Sequence, residues 1–367
     1  MIFFDNASTT KVFDEVADAV KEVSLQHYFN PSALYSQGSN VHVIMEEFRG
    51  IIASELGAAA EELYFTGSAT EANNWVFTRG FKNKKGNLVI SAGEHASVYE
   101  SAQSLKSAGI DVRIAGLNTD GTVNVDSLLE QIDEATVLIS IIHCSNETGA
   151  INDLADITAC IKSKNKTALI HSDGVQAFCK IDIDMHGLGV DFYTISAHKI
   201  GGPKGIGALY INKKRNIAPF IVGGGQERGL RSGTENTPGM AGFAAAVTAF
   251  KKHYDKNKTR AVFRFLHDEL TAKGWIYNGA KENSGFILSL SNPRINKSEI
   301  LMRRLADGGV LIGLGSACSK KLSQNRVLKA IGRTKAEIEG NIRLSFSVFS
   351  ELEEAEKVLG LLVKYSN

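Results

Sequence analysis

Short, fully apolar runs recur through the first two thirds of the chain and are separated by longer stretches of mixed polarity. A run without alternation is typical of a strand that is buried on both faces of a sheet. The runs that we predict to be strands occupy residues 88–90, 137–142, 168–170, 192–195 and 208–211. Because helical stretches lie between most of them, the pattern predicts an α/β fold with a mainly parallel sheet.

The pattern changes near Gly239, where small residues fill positions 240–250 and a basic predicted helix then continues to Leu270. Further strands are predicted at 286–290 and 343–347, and a last helix is predicted to open with Ser350 and Glu353 as a capping box. A chain of 367 residues is long enough for two domains. We therefore predict a large domain over residues 13–255 and a smaller α+β domain formed by residues 1–12 and 256–367.

Composition and charge exclude several classes of protein. A formal net charge of +1 gives no general reason to expect nucleic-acid binding. No apolar run approaches the about 18 residues of a membrane span, and the N-terminus lacks the pattern of a secretion signal. We therefore expect a cytoplasmic protein with no membrane partner. The four cysteines show no spacing typical of a disulfide framework or a zinc site, so no metal is expected.

One lysine stands out because of its neighbours. Lys199 lies between a polar cluster and a glycine-rich segment, in SAHKIGGPKGIG at positions 196–207, just after an apolar run. This arrangement is typical of a strand end that delivers an amine into a cleft. An uncharged amine is a nucleophile that can form a Schiff base, as pyridoxal-phosphate chemistry requires. A surface lysine in a turn is the alternative.

Asp173 closes the mainly apolar segment 168–173 and precedes Lys199 by one possible crossover. Two parallel strands joined by a crossover would bring both residues to neighbouring carboxyl ends, where open α/β sheets build their sites. A carboxylate there can keep a pyridine nitrogen protonated, which makes the cofactor an electron sink. An isolated aspartate at a strand end can instead form a turn or cap a helix.

The turn TGSATE at positions 66–71 follows an apolar run and precedes a predicted helix. Its small residues let backbone N–H groups converge at a helix N-terminus, which favours an anion such as phosphate. The alternative is that Ser68, Thr70 and Glu71 are ordinary capping residues.

Cys318 differs from the other cysteines, which can be small buried hydrophobic residues. Glycine and other small residues precede it, and Lys320 and Lys321 follow it. Nearby cations favour the thiolate, which is the reactive form of this side chain. The sequence therefore indicates a reactive cysteine in a small, electropositive segment. The alternative is an exposed free cysteine that has no function.

These residues belong to a set of segments that resembles one known family. In chain order the segments are FDNASTT at 4–10, NPS at 30–32, GSATEAN at 67–73, EH at 94–95, NETG at 146–149, HSD at 171–173, the Lys199 segment, RGLRSGT at 228–234, GSAC at 315–318 and IRLS at 342–345. The chain is similar to cysteine desulfurases of the nitrogen-fixation and iron–sulfur type, which are class V aminotransferases of fold type I. The resemblance implies pyridoxal 5'-phosphate as cofactor, and a large domain with a mainly parallel seven-stranded sheet plus a smaller α+β C-terminal domain.

The resemblance also implies roles for single residues. Lys199 would carry the cofactor, Asp173 would contact the pyridine nitrogen, and His95 would stack on the ring and handle protons. The other implied cofactor contacts are Ala69, Thr70, Asn146, Gln176, Ser196, His198 and Thr234. In the family, the residue that matches Thr234 reaches the phosphate from the neighbouring subunit, which implies a homodimer with shared active sites.

For the substrate, the resemblance implies L-cysteine held by Arg343, with Asn30 beside it, since a guanidinium group fits a carboxylate with two parallel hydrogen bonds. The catalytic residues would be Lys199, His95 and Cys318. Cys318 would take the sulfur as a persulfide while L-alanine is released. The sulfur acceptor, in iron–sulfur cluster assembly or a thiolation pathway, is left open. A selenocysteine lyase or other C–S lyase of the same fold, and a scaffold without activity, are the alternatives.

Overall fold

The computed structural model describes residues 1–81, 85–314 and 325–366. Its strands are β1 (Ile2–Phe4), β2 (Leu63–Thr66), β3 (Asn87–Ser91), β4 (Asp111–Ala115), β5 (Thr136–Ser140), β6 (Leu169–Asp173), β7 (Phe192–Ser196), β8 (Gly207–Ile211), β9 (Ile276–Tyr277), β10 (Ile287–Ser291), β11 (Val310–Ile312) and β12 (Asn341–Ser345). Its α-helices are α1 (Asp14–Gln26), α2 (Ser36–Glu55), α3 (Ala69–Trp75), α4 (Ala96–Ser107), α5 (Val125–Gln131), α6 (Leu154–Lys164), α7 (Met185–Leu188), α8 (Thr237–His253), α9 (Lys256–Ala272), α10 (Ser298–Asp307), α11 (Arg326–Ala330), α12 (Lys335–Glu339) and α13 (Leu352–Ser366).

Seven strands form one sheet, in the spatial order β2-β8-β7-β6-β5-β3-β4. Neighbouring strands run parallel from β7 to β4, whereas β8 runs antiparallel to both β7 and β2. The predicted α/β fold with a mainly parallel seven-stranded sheet is therefore confirmed. The predicted strands lie in it as β3, β5, β6, β7 and β8, and the edge strands β2 and β4 are additional.

Apolar side chains pack against both faces of this sheet, which explains why its inner strands are continuous apolar runs. On β6, Leu169 belongs to the core on one face and Ile170 to the core on the other. The core that contains Ile170 includes Phe243 of α8, and the core that contains Leu169 includes Trp75 of α3. The sheet edge at the strand ends is thereby held in a fixed position by packing on both sides.

A third core surrounds β10 and β12. Strands β12, β10 and β9 form an antiparallel sheet, and β1 pairs in parallel with β11. Their side chains pack with α9, α10 and α13 in a core that includes Phe4, Leu288 and Val358. The N-terminal strand thereby brings the following residues next to β12, where Asp5 bridges to Ser345. The proposed domain boundaries stay a prediction.

The predicted start of the last helix is wrong by one residue. Helix α13 begins directly after Glu351, so Glu351 and not Ser350 takes the cap position. The Glu354 carboxylate accepts a hydrogen bond from the Glu351 backbone N–H at 3.2 Å. Glu353 pairs instead with Lys357 one turn along the helix, at 2.9 Å.

Candidate active site

A cavity of about 560 Å³ lies at the carboxyl ends of β6 and β7. This edge is where open α/β sheets place their ligand sites. Its walls include most of the residues for which the sequence predicts a role, namely Ala69, Thr70, His95, Asn146, Asp173, Gln176, Ser196, His198, Lys199 and Arg343. The fold thus brings together side chains from distant parts of the sequence.

Lys199 reaches the cavity from a tight turn directly after β7. Its Nζ donates hydrogen bonds to the backbone oxygens of Ala7 at 2.6 Å and Ser8 at 2.7 Å. Burial, together with the charges of Lys180 and Arg343, lowers the pKa of Lys199 to about 7. A large fraction of this amine is therefore uncharged at neutral pH, and the uncharged amine is the form that attacks a carbonyl group.

Asp173 ends β6 and is 3% exposed. Its Oδ2 accepts a hydrogen bond from Asn73 Nδ2 at 2.9 Å, and its Oδ1 accepts one from the Val175 N–H at 3.1 Å. Asn73 Nδ2 also donates to Ser97 Oγ at 2.8 Å. A carboxylate has about four lone-pair sites, so these bonds fix its orientation and leave room for one more donor.

His95 caps the N-terminus of α4. Its Nδ1 accepts a hydrogen bond from the Ser97 N–H at 3.2 Å and lies 2.8 Å from the Ser97 hydroxyl. In the neutral ring this assigns the proton to Nε2. Withdrawal from bulk water, together with the charges of Lys199 and Arg326, lowers the pKa of His95, while Asp173 opposes them. The ring is thus held by the helix that it caps.

The turn before α3 is held by its own side chains. Ser68 Oγ accepts a hydrogen bond from the Glu71 N–H at 3.1 Å, and the Glu71 carboxylate accepts one from the Gly67 N–H at 2.9 Å. These residues therefore act as caps in a turn that also lines the cavity. Gly207 on β8 makes this close packing possible, because a Cβ there would lie 2.8 Å from Ala69 N.

Ser196 and His198 lie at the end of β7 on the same cavity. Burial, with the charges of Lys199 and Lys204, lowers the pKa of His198 to about 4. Its Nδ1 lies 3.2 Å from Thr9 Oγ1. His198 is therefore neutral at neutral pH and, like the Ser196 hydroxyl, can offer a hydrogen bond without adding charge.

Arg343 lies in the middle of β12, and its side chain is 5% exposed. Its Nη1 donates to the Asn146 backbone oxygen at 2.9 Å, and its Nη2 donates to Asp5 Oδ1 at 3.0 Å and Ser8 Oγ at 2.8 Å. Its Nε is buried and has no hydrogen-bond partner among the described residues. Because a buried donor without a partner is unfavourable, this atom marks a place for a ligand's acceptor.

Gln176 completes the polar wall near Lys199. Its Nε2 donates to the Ala7 backbone oxygen at 2.9 Å, the oxygen that Lys199 also contacts. Its Oε1 accepts a hydrogen bond from Lys180 Nζ at 2.8 Å. Asn146 also lines the cavity.

Three predicted site residues are not found on the cavity walls. Thr234 is exposed and lines a separate pocket with Gly67. Asn30 is exposed in a turn, where its Oδ1 accepts a hydrogen bond from the Ser32 N–H at 2.8 Å. Cys318 lies outside the described residues. The roles assigned to these three residues stay predictions.

The cavity also contains residues that the sequence does not predict. Arg326 opens α11, and its guanidinium carbon lies 4.0 Å from the centre of the Tyr99 ring. It donates hydrogen bonds to the backbone oxygens of Ala92 and Glu94, which both lie in the segment before α4. Its one sequence signal is its place at the end of the basic segment 319–326. The contact with α4 depends on the fold and has no local pattern.

Two other kinds of site are missing from the parts of the chain that the structure describes. No helix in residues 1–81, 85–314 and 325–366 has both the length and the apolar character that a membrane crossing requires. Within the same ranges, no group of three or more His, Cys, Asp or Glu side chains is arranged to hold a metal ion.

Residues 2–358 match the aminotransferase class-V family. The chain belongs to this family. Within the family it is 33% identical to "Cysteine desulfurase IscS 1" of Archaeoglobus fulgidus, over 99% of this chain and 96% of that one. The resemblance to cysteine desulfurases is therefore confirmed.

Solved structures of the family agree in fold. A NifS-like protein superposes with a TM-score of 0.91 at 33% identity, over 99% of this chain and 98% of that one. The protein SspA in complex with cysteine superposes with a TM-score of 0.81 at 31% identity, over 95% of this chain and all 100% of that one. These structural neighbours confirm the fold-type I architecture.

Proposed function

We propose that this chain is a pyridoxal-phosphate-dependent cysteine desulfurase. It converts L-cysteine to L-alanine and leaves the sulfur as a persulfide on Cys318 for transfer to an acceptor. One observation carries the proposal: a single cavity contains the partly uncharged amine of Lys199, the fixed carboxylate of Asp173 and the spare donor of Arg343. The cysteine desulfurase relative supports the choice of reaction.

The cavity residues fit pyridoxal 5'-phosphate by their chemistry. Lys199 offers an amine to its aldehyde, and Asp173 keeps a lone pair for the ring nitrogen. Thr70, Ser196 and His198 offer donors for the phosphate without a competing carboxylate among them. When bound, the cofactor supplies a protonated ring that takes up the electron pair of a bond broken at the substrate Cα. Every other role falls to side chains of this chain.

Arg343 orients the substrate. Its Nε can donate to one oxygen of the cysteine carboxylate, and Nη2 can exchange Asp5 or Ser8 for the other oxygen. Such a bidentate pair fixes both position and orientation. We place Asn30 beside this carboxylate as a further contact, by its match to the family motif at 30–32.

Lys199 and His95 divide the proton transfers. Lys199 takes the proton from the substrate Cα, because an amine with a pKa of about 7 can accept and release protons at neutral pH. His95, with its proton on Nε2, donates during release of sulfur and is held in place by Ser97. Asn146 and Gln176 would contact the cofactor's phenolic oxygen or the substrate side of its ring, without adding charge.

Cys318 carries the sulfur. Its thiolate attacks the substrate sulfur, the C–S bond breaks, and the electron pair of that bond stays with the substrate carbon. Protonation of this carbon and return of a proton from Lys199 to Cα together complete L-alanine, and the new S–S bond leaves Cys318 as a persulfide. The lysines at 320 and 321 favour the thiolate form that this step requires.

The remaining parts of the proposal concern the assembly of subunits and the acceptor of the sulfur. Thr234 reaches the phosphate of a partner subunit in a homodimer with shared active sites, which accords with its exposure outside the cavity of its own chain. The persulfide passes to an acceptor protein of iron–sulfur cluster assembly or a thiolation pathway in the cytoplasm. The oligomeric state in solution tests the first part directly.

An absorbance spectrum tests the function. We expect a visible cofactor band that shifts when L-cysteine is added, together with formation of alanine and sulfide in the same sample. Lys199→Ala should lose the stable band, whereas Cys318→Ala should keep the band and its shift but form no alanine. Cys160→Ala is the matched control, since this half-buried thiol on α6 has no proposed role. Undiminished alanine formation by Cys318→Ala contradicts the persulfide step.

The Cys318→Ala variant also distinguishes the proposed function from that of a selenocysteine lyase. A selenocysteine lyase would act on selenocysteine without an attacking thiol, so Cys318→Ala would keep that activity. We expect instead that L-cysteine is the better substrate of the wild-type protein and that its turnover depends on Cys318. A protein that binds no cofactor after reconstitution would not be an enzyme of this class.

A further inference from the structure

Lys180 is a buried lysine in the turn after β6, and no motif singles it out. It is 7% exposed. Its Nζ donates a hydrogen bond of 2.8 Å to Gln176 Oε1 and lies 5.5 Å from the centre of the Phe286 ring. The thiols of Cys144 and Cys179 favour its charged form. Lys180 also interacts with Lys199 and His198, and no carboxylate among the described residues pairs with it.

The two thiols do not compensate the charge of Lys180. Burial raises the pKa of Cys144 to about 11 and raises the pKa of Cys179 well above its usual value, so both are neutral at neutral pH. Burial lowers the pKa of Lys180 to about 8, which leaves most of it protonated. A buried ammonium group without a counter-charge is unfavourable, and an apolar side chain of similar size would avoid that cost. Stability alone therefore does not explain a lysine here.

Hydrogen bonds connect Lys180 with the reactive amine. Gln176 accepts from Lys180 and donates to the Ala7 backbone oxygen, and the same oxygen accepts from Lys199. Both lysines also line a second cavity, of about 190 Å³, whose walls include Phe286. The walls are mainly aromatic and aliphatic, but they also include Lys11 and Glu354. Because a largely apolar surrounding screens charge weakly, the two amines interact more strongly than two exposed lysines would.

Among the charged groups that act on Lys199, Lys180 has the largest net effect on the pKa of that amine. Lys180 and Arg343 favour the uncharged amine, whereas Asp173 and Asp5 favour the charged one. Arg343 and Asp5 form an ion pair at 3.0 Å, so their effects partly cancel. Lys180 has no ion-pair partner among the described residues, so its effect on Lys199 is not offset in this way.

The backbone next to Lys180 is strained. Cys179 has a φ of 62°, in the left-handed region that residues other than glycine rarely adopt. Strain of this kind persists where the surrounding structure requires it, and it often accompanies a functional position. At this turn it sets the direction in which the chain delivers Lys180.

We propose that Lys180 is a positioning residue: its buried charge fixes Gln176 at the cavity wall and favours the uncharged amine of Lys199. Lys180 does not line the main cavity, so it acts through two residues that do. The inference rests on the proposed function, because the role of Lys199 gives the effect its consequence.

The test compares Lys180→Met with Lys180→Arg and with Lys166→Met, which removes one exposed charge from the loop before β6. In the holoenzyme, the pH midpoint of the visible band reports the proton on the nitrogen of Lys199. In the cofactor-stripped full chain, competitive acetylation with mass spectrometry reports the pKa of the Lys199 amine itself. The second readout needs no cofactor, so it separates failure of this inference from failure of the proposed function.

We expect Lys180→Met to raise both midpoints by about one pKa unit, which lowers the uncharged fraction about tenfold at a pH below the midpoint. Lys180→Arg should stay near the wild type because it keeps the charge, and Lys166→Met should leave both midpoints unchanged. The Tm of Lys180→Met should equal or exceed that of the wild type. If Lys180→Met does not fold, Lys180→Gln removes the same charge and takes its place. An unchanged Lys199 midpoint in either folded neutral variant overturns the inference, as does an equal shift in Lys166→Met.

Discussion

Two buried arginines, Arg49 on α2 and Arg343 on β12, are almost equally hidden from solvent but differ in how their donors are used. Their side chains are 4% and 5% exposed. Every nitrogen of the Arg49 guanidinium has a partner: Nε donates to Glu46, while Nη1 and Nη2 donate to the two oxygens of Glu227. Burial alone would lower the pKa of Arg49, but the bonds and charge of Glu227 outweigh it and raise that pKa.

Arg343 has a different environment. Its one carboxylate partner among the described residues, Asp5, is partly exposed, and its Nε has no partner there. The guanidinium also lines a cavity that is large enough for a ligand, whereas Arg49 is enclosed by protein. Burial of a charge therefore does not by itself indicate function. A buried cation beside a cavity with a donor to spare indicates a binding site, and a fully paired one indicates structure.

The largest effect on stability is expected from replacing Arg49, the arginine whose donors are all paired. Arg49→Met leaves Glu227 buried without its counter-charge, so the free energy of unfolding should fall by about 3–5 kcal/mol. Urea unfolding of the cofactor-loaded protein measures the change. The double variant Arg49→Met with Glu227→Gln should recover part of the loss, because it removes the uncompensated charge. Equal stability of Arg49→Met and the wild type would show that this pair is not structural.

The next effect is expected at Arg343, whose Nε has no partner among the described residues. Arg343→Ala should lower kcat/KM for L-cysteine about a hundred- to a thousandfold, because the substrate loses a charge-assisted bidentate partner. Its Tm should change less than that of Arg49→Met. Arg343→Lys should recover only part of the activity, since an ammonium group cannot form the same fork. A variant that loses stability and keeps its kcat/KM would reverse the assignment of the two arginines.

A third effect concerns Lys199, a partly buried amine with no direct carboxylate partner among the described residues. Its pKa of about 7 lies below the usual 10.5, so protonation inactivates it only below about pH 7. The rate at which cofactor-stripped protein captures pyridoxal phosphate should fall about tenfold per pH unit below that point and level off above it. Stopped-flow absorbance measures this rate. A rate that keeps rising towards the pKa of an exposed lysine would mean that the cavity does not perturb the amine.

The smallest effect is expected from an exposed ion pair. Arg113 donates to Asp133 at 2.7 Å and to Asp111 at 2.9 Å, but these side chains are open to solvent. Solvent screens such pairs, so Arg113→Gln should shift the Tm by about 2 °C or less. Differential scanning calorimetry alongside Arg49→Met checks this. A loss as large as that of Arg49→Met would show that pairing, and not burial, decides the cost.

The inner strands of the sheet could be predicted because burial on both faces makes each a continuous apolar run. The edge strand β4 could not, since Asp111 and Arg113 at the border of the sheet interrupt the apolar run. Asp173 and Lys199 could be placed together because neighbouring parallel strands end at one edge. The residue composition of β8 does not indicate that this strand runs antiparallel to its neighbours.

The partners of Arg343 and Lys199 could not be predicted from local pattern. Asp5 meets Arg343 only because β1 pairs with β11 and thereby lies beside β12. The same placement brings the Ala7 oxygen to Lys199. Lys180 occupies an ordinary-looking turn in the sequence, and its burial arises from packing against distant elements. Such contacts join parts of the chain that no motif connects.

The central claim is that the spare donor of Arg343 holds the substrate carboxylate. The most direct test is the affinity of L-cysteine and of cysteamine, which lacks the carboxylate, read from the shift of the visible band in the Cys318→Ala background. We expect L-cysteine to bind about a hundredfold more tightly than cysteamine, and we expect the added Arg343→Ala substitution to bring the two affinities close together. If the preference for L-cysteine survives the loss of Arg343, another group holds the carboxylate and Arg343 does not have this role.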